Sequence, residues 1–113
     1  MGKYQLGEFE EIVLLTVGVL FDDAYGVSIK LAIEDRLNRS VSVGALQSAL
    51  KRLEQKGYLS SRAGEVTNER GGRPKRYFEL TSAGTGAIKY TRELRNQLYS
   101  EIPHAALVIN PTK

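Results

Sequence analysis

The stretch "SVGALQSALKRLEQKGYLSSRAGEVTNERGGRPKRYFEL", Ser42 to Leu80, decides the fold. It opens on Ser42, whose hydroxyl suits an N-cap because it can accept from a free amide two or three residues on. Gly57 suits a helix C-terminus. Between them the spacing predicts a helix from Val43 to Lys56, with Leu46, Ala49, Leu50 and Leu53 as its inward stripe. Gly44, Ser48, Lys51 and Gln55 fall on the opposite pole, flanked by Gln47 and Arg52. That outer face is small, polar and net basic. Residues 58–66 and 75–80 then read as two short strands, since Phe78 and Leu80 alternate with Tyr77 and Glu79. The connection is too long for a two-residue turn. Gly71 and Gly72 supply permissive backbone, and Pro74 ends the loop. A hairpin results whose tip carries Arg70, Arg73, Lys75 and Arg76. A tip with charge but no nucleophile or metal ligand points to a partner held by charge.

Upstream, residues 6–21 are helix-like. Glu8, Glu10 and Glu11 occupy the first turns, where the helix dipole favours acids. Apolar residues follow on nearly every side, and a helix apolar all round is expected to be buried all round. A chain of 113 residues makes one modest domain, and covering such a helix calls for a partner copy. "DDAYG", Asp22 to Gly26, reads as a turn that Tyr25 packs, and Val27 to Leu37 as a second helix with Ile29, Ile33 and Leu37 on one side. Downstream, Thr81 caps a last helix over 82–101. Its apolar stripe is Ala87, Tyr90, Leu94 and Leu98, its first turns are weakened by Gly84 and Gly86, and Pro103 ends it. The tail "AALVINPTK" yields no reading.

Composition narrows the chemistry. There is no cysteine, which excludes disulfides and thiolate sites, and the single His104 has no ligand-like neighbours. No metal or cofactor is expected. The apolar run Ile12–Phe21 is about half the roughly 20 residues of a bilayer span and has acids on both sides, so no membrane role is expected. With no signal peptide in view, a cytoplasmic protein is the expectation. Charge is uneven: residues 1–41 hold four cations against seven acids, and residues 42–80 hold eight against four. A basic middle suits a polyanion.

Duller readings account for other features. "ERGGRPKR" lacks the spacing of a phosphate-cradling nucleotide loop and does not lead from a strand into a helix. Ser42 has no histidine base near it in sequence, so a cap explains it better than a nucleophile. The three glutamates are better explained by the dipole than by a metal. No catalytic constellation is visible, and an enzyme is not expected.

The order helix, helix, helix, hairpin, helix is the plan of a winged helix-turn-helix. In that plan the third helix enters the major groove and the hairpin, or wing, follows the backbone or a minor groove. Small Gly44 and Ser48 permit close approach, Lys51 and Arg52 can neutralise phosphates, and Gln47 or Gln55 can read a base edge. Arg73 beside Pro74 suits a narrow minor groove. The blocks "LGEFEEIVLLTVGVL", "DDAYGVSI", "SVSVGALQSALKRLEQKGYLSS" and "NERGGRPKRYFELTSAG" resemble the PadR family of bacterial transcriptional regulators over about residues 5–90. The resemblance implies a homodimeric repressor of the short-tailed type on a palindromic operator, sometimes released by a small apolar or aromatic ligand. It also implies a mainly α fold with a small β hairpin and one C-terminal dimerisation helix. The chain divides on this reading into a DNA-binding unit, 1–80, and a dimerisation helix and tail, 81–113. The expected DNA-binding residues are Ser42, Gly44, Gln47, Ser48, Lys51, Arg52, Arg70, Arg73, Lys75 and Arg76. The expected dimer seam is Phe9, Ile12, Leu15, Tyr90, Leu94 and Leu98. Gln47 departs from the family, which usually has Tyr there. A winged helix whose basic wing binds an acidic partner protein is the alternative.

Overall fold

The computed structural model describes residues 5–66 and 74–108. Five helices and one hairpin follow in chain order: α1 (Glu8–Leu20), α2 (Gly26–Leu37), α3 (Val43–Gln55), β1 (Leu59–Val66), β2 (Pro74–Leu80), α4 (Ser82–Glu101) and α5 (His104–Leu107). The helix order, the hairpin and the bounds of α4 are those expected from the sequence. A short 3-10 turn, Phe21–Asp23, stands where a plain turn was expected, and α5 is a single turn in the unread tail.

Local chemistry sets the helix ends. The Ser42 hydroxyl accepts from the amide of Ala45 at 3.1 Å and starts α3. Its far end is a Schellman motif: Gly57 takes φ +82°, its amide donates to the Glu54 carbonyl, and the Tyr58 amide donates to the Leu53 carbonyl. Tyr58 and Leu53 are both buried, which supplies the apolar contact that accompanies this motif. Thr81 caps α4 by accepting from the Gly84 amide at 3.0 Å. Its hydroxyl also donates to the Gly57 carbonyl, so the end of one helix is tied to the start of another. Asn38, at φ 51°, closes α2 in the left-handed region that Asn tolerates.

The core lies where α1, α2 and α3 meet. Val13, Leu14, Val17, Ile29, Ile33, Leu46, Leu50 and Leu53 are its buried side chains, and Phe78 of β2 and Ala87 of α4 close it. Each fully buried Leu or Ile contributes about 1.5–3 kcal/mol. The inward stripe of α3 is the expected one. This subunit covers only one side of α1: Leu15 is 43% exposed and Val19 59% exposed. In α4 only Gly84 and Ala87 are buried, and every residue from Arg92 onward is exposed.

The hairpin is antiparallel, with Leu59 opposite Leu80, Ser61 opposite Phe78 and Ala63 opposite Arg76. A bulge between Ala63 and Val66 shifts the register before Val66 meets Pro74. Pro74 opens the strand instead of ending the loop; the first strand position tolerates its missing donor. The chain before α2 joins this hairpin. The Phe78 amide donates to the Ala24 carbonyl at 2.8 Å, and Tyr25 forms a lone antiparallel bridge with Tyr77.

Gly84 has a definite reason to be glycine. A Cβ there would run into the Tyr58 carbonyl, whereas one on Gly44 would meet nothing within 4 Å. Gly84→Ala is therefore expected to destabilise by about 1–3 kcal/mol, the usual cost of overpacking. Gly44→Ala is expected to stabilise by about 0.5–1 kcal/mol through helix propensity. Urea unfolding of the two variants checks the opposite signs.

Candidate nucleic-acid interface

The outer face of α3 is built as its spacing requires. Gly44, Gln47, Ser48 and Lys51 are exposed, while Leu46, Ala49, Leu50 and Leu53 are buried on the other side. The Ser42 side chain is exposed, but its oxygen is occupied by the cap. The Val43 and Gly44 amides belong to the first turn, where no intrahelical acceptor exists, so they are donors toward solvent. Gln47 lies beside the start of α2: a Cβ on Gly26 would stand 3.5 Å from its amide nitrogen.

The wing faces the same way. A cleft of about 240 Å³ separates α3 from β2, with Gln47 on one wall and Lys75 and Arg76 on the other. Tyr25, Lys30 and Phe78 complete it. Phe78 is buried, while Lys75 and Arg76 stand half-buried and exposed at its rim. Arg70 and Arg73, expected at the tip, lie outside the described residues.

A stack of cations and rings holds the wing's root. Lys75 Nζ is 4.2 Å from the centre of the Tyr25 ring, Tyr25 meets Tyr77 edge-on at 5.5 Å, and Arg62 lies 4.8 Å over Tyr77. Such cation–ring contacts are worth about 0.5–1 kcal/mol each where exposed. The stack is not legible in the sequence: Tyr25 reads as packing its own turn, and nothing in the local pattern signals a partner 52 positions away.

Arg52, expected among the cations that meet phosphate, has a partner within the subunit: its Nε donates to Glu10 at 2.8 Å while its side chain stays 54% exposed, and Lys56 Nζ donates to the other Glu10 oxygen at 2.7 Å. The Glu10 side chain is only 10% exposed. Burial pushes its carboxyl up, but the hydrogen bonds from Lys56 and Arg52 outweigh this and hold it below the usual value. The dipole reading of the acids therefore stopped short, because each has its own partner: Glu8 binds Arg39 at 3.2 Å and Glu11 binds Arg95 at 2.8 Å. Glu34 has two donors, the Val41 amide and Lys30, and its carboxyl is also held low.

Of the residues expected at a dimer seam, Phe9 and Ile12 are half-buried and Leu15 is exposed. Tyr90 is half-buried, while Leu94 and Leu98 are 44% and 58% exposed along α4. Among the described residues there is no cluster of His, Cys, Asp or Glu able to hold a metal. No described helix is long and apolar enough to cross a membrane.

The comparisons agree with this geometry. Residues 14–90 match the profile of the transcriptional regulator PadR-like family. No curated protein matches the sequence. Among solved structures, a PadR-like transcription factor from Bacteroides fragilis superposes with a TM-score of 0.69 at 25% identity, covering 81% of this chain and 84% of that one. A transcriptional regulator from Clostridium thermocellum superposes at 0.66 with 26% identity, covering 80% and 85%. A PadR family transcription regulator from Clostridium difficile gives 0.61 and 25%, covering 79% and 91%. These relatives are regulators of transcription, and the helices and two-strand hairpin of this chain match their winged helix-turn-helix fold. With most of its length inside the family profile and its α3 and wing flanking one cationic cleft, the chain belongs to the PadR-like family of transcriptional regulators.

Proposed function

We propose that the chain is a sequence-specific repressor that binds double-stranded DNA as a homodimer on a palindromic operator. One observation carries the reading: Val43 and Gln47 of α3 and the cations Lys75 and Arg76 of β2 line a single cleft, which supports both elements meeting one duplex. Gly44, Gln47 and Ser48 enter the major groove, and Lys51 meets a phosphate at its edge. Ser42 presents the α3 N-terminus, whose free amides suit a phosphate. Lys75 and Arg76, with Arg70 and Arg73 farther along the wing, meet the backbone.

Pairing uses α1 and α4. The exposed apolar side chains Leu15, Leu94 and Leu98 support it, since apolar surface of this extent on a small subunit marks an interaction face. Phe9, Ile12 and Tyr90 form its half-buried margin. The unit 1–80 then reads DNA and 81–113 joins the subunits. A two-fold pair places its reading helices about 34 Å apart, one turn of duplex. A small apolar or aromatic ligand entering the seam changes that spacing and releases the operator.

Affinity for the chain's own upstream duplex should fall with salt on a log–log slope steeper than about −4, by counterion release at roughly 0.9 per phosphate. Lys75→Ala with Arg76→Ala should flatten that slope by up to about 3.6 for a dimer and weaken all sequences alike. A flat wild-type slope would favour an acidic protein as the partner. Gln47→Ala should change which operator variants are preferred in a binding-site selection; an unaltered preference would remove Gln47 from the readout. Leu94→Glu with Leu98→Glu should halve the mass seen by sedimentation at concentrations where the parent is a dimer.

A further inference from the structure

The pairing of Glu10 is more than a neutralised charge. Arg52 and Lys56 stand one turn apart on the same side of α3, near the face assigned to DNA. Both pair with one carboxylate on α1, each taking a different oxygen, Arg52 through Nε with its side chain 54% exposed and Lys56 through Nζ with its side chain 33% exposed. Lys56 adds a bond to the Gln5 carbonyl at 2.9 Å. Glu54 of α3 looks the other way, toward Ser61 at 2.6 Å and Arg76 at 3.9 Å. Among the described cations of α3, Lys51 alone has no ion pair.

We infer that Glu10 is a positioning residue for operator recognition: it neutralises Arg52 and Lys56 in place and fixes the rotation of α3 about its own axis. The inference rests on the DNA-binding reading above. Two cations left free beside a duplex would bind any phosphate, strengthening attachment to every sequence alike. Withholding them leaves discrimination to Gln47, Ser48 and the groove-facing backbone. Rotation matters equally, because about 100° per residue separates the direction of Gln47 from that of its neighbours. The far end of α3 is held at Glu10, and its near end follows Val41, whose amide donates to Glu34 at 2.9 Å. A carboxylate this buried cannot lose its partners cheaply, so the clamp stays closed. Stability alone would be served as well by apolar side chains at this crossing.

The test uses the full chain, its upstream operator duplex and a mixed-sequence duplex of equal length. Glu10→Gln should free Arg52 and Lys56 in both subunits. The salt slope on mixed-sequence DNA should then steepen by up to about 3.6, for four cations at roughly 0.9 each. Affinity for mixed sequence should rise, and the operator-to-mixed ratio should fall. Adding Arg52→Gln and Lys56→Gln to that variant should return the slope to the parent value, a rescue that a merely structural role would not produce. Arg52→Gln with Lys56→Gln in the parent background should leave the slope unchanged; because this pair strands the Glu10 carboxylate, the triple variant, which leaves no buried charge, decides the matter where the pair does not fold. A flatter slope in the pair would overturn the inference, because the cations would already be on phosphate. So would an unchanged slope in a folded Glu10→Gln. Failure of the parent itself to bind duplex DNA would remove the DNA-binding reading as well, and the two failures are thus distinct.

Discussion

The wing stands where it does because one amide, that of Phe78, donates to the carbonyl of Ala24. A two-stranded hairpin on its own is marginal in water. Here the hairpin gains a third backbone partner at its root, and that partner is the residue that leads into α2. Phe78 and Ala24 are both buried, so the bond sits where water cannot compete for it. From this point the geometry propagates outward. Tyr77, one residue back, meets Tyr25; Lys75, two further back, lies over the Tyr25 ring. The cations of β2 are thus placed relative to α2 and, across the cleft, relative to Gln47. A wing hinged only at Leu80 would carry the same charges with no fixed relation to α3.

What could be read in the sequence was what local physics controls. Ser42, Gly57 and Thr81 mark helix ends because caps act over two or three residues, and all three perform those roles. The leucines of α3 mark its inner side because their spacing matches the helix period. The Tyr25–Tyr77 bridge and the Glu10 clamp were not legible, for the same reason. Their partners lie some forty to fifty positions away, and neither a tyrosine before a glycine nor a glutamate in a first turn announces a distant contact. Gly84 shows a third kind of limit. Its glycine looked like a weakness in a helix start, yet it is the condition for α4 to pass close to the Tyr58 carbonyl.

Charge counts taken from sequence overstate what faces a polyanion. Eight cations between residues 42 and 80 look uniformly available. In the fold, Arg52 and Lys56 pair with Glu10, and Arg62 is divided between Tyr77 and Glu79. Among the described cations of this stretch, Lys51, Lys75 and Arg76 stand at the candidate surface without a buried carboxylate as partner. Apolar residues depart from their simple reading in the opposite direction. The first helix looks like one meant for complete burial, but Leu15 and Val19 meet solvent in the single subunit. An exposed stripe on α1 beside another on α4 is the surface for which the proposed pairing accounts.

The acids of α1 connect these two surfaces. Glu10 reaches α3, Glu11 reaches Arg95 on α4, and Glu8 reaches Arg39 between α2 and α3. The outer two pairs involve exposed arginines and are worth little, about 0–1 kcal/mol each. The Glu10 pair differs because its carboxylate has left water, so breaking it strands a buried charge. For a ligand that shifts α4, the arrangement therefore has a soft joint at Glu11 and a stiff one at Glu10. A displacement of the part of α4 beyond Ala87 can yield at the first without disturbing α3, since the direct ties between α4 and the end of α3 lie at its start, at Thr81 and Gly84. Release of DNA by such a ligand would then come from subunits swinging apart with their reading helices intact, instead of from distortion of α3 within one subunit. A coupling of the usual 1–3 kcal/mol is too small to open the Glu10 clamp as well as move a subunit, which argues for the rigid swing.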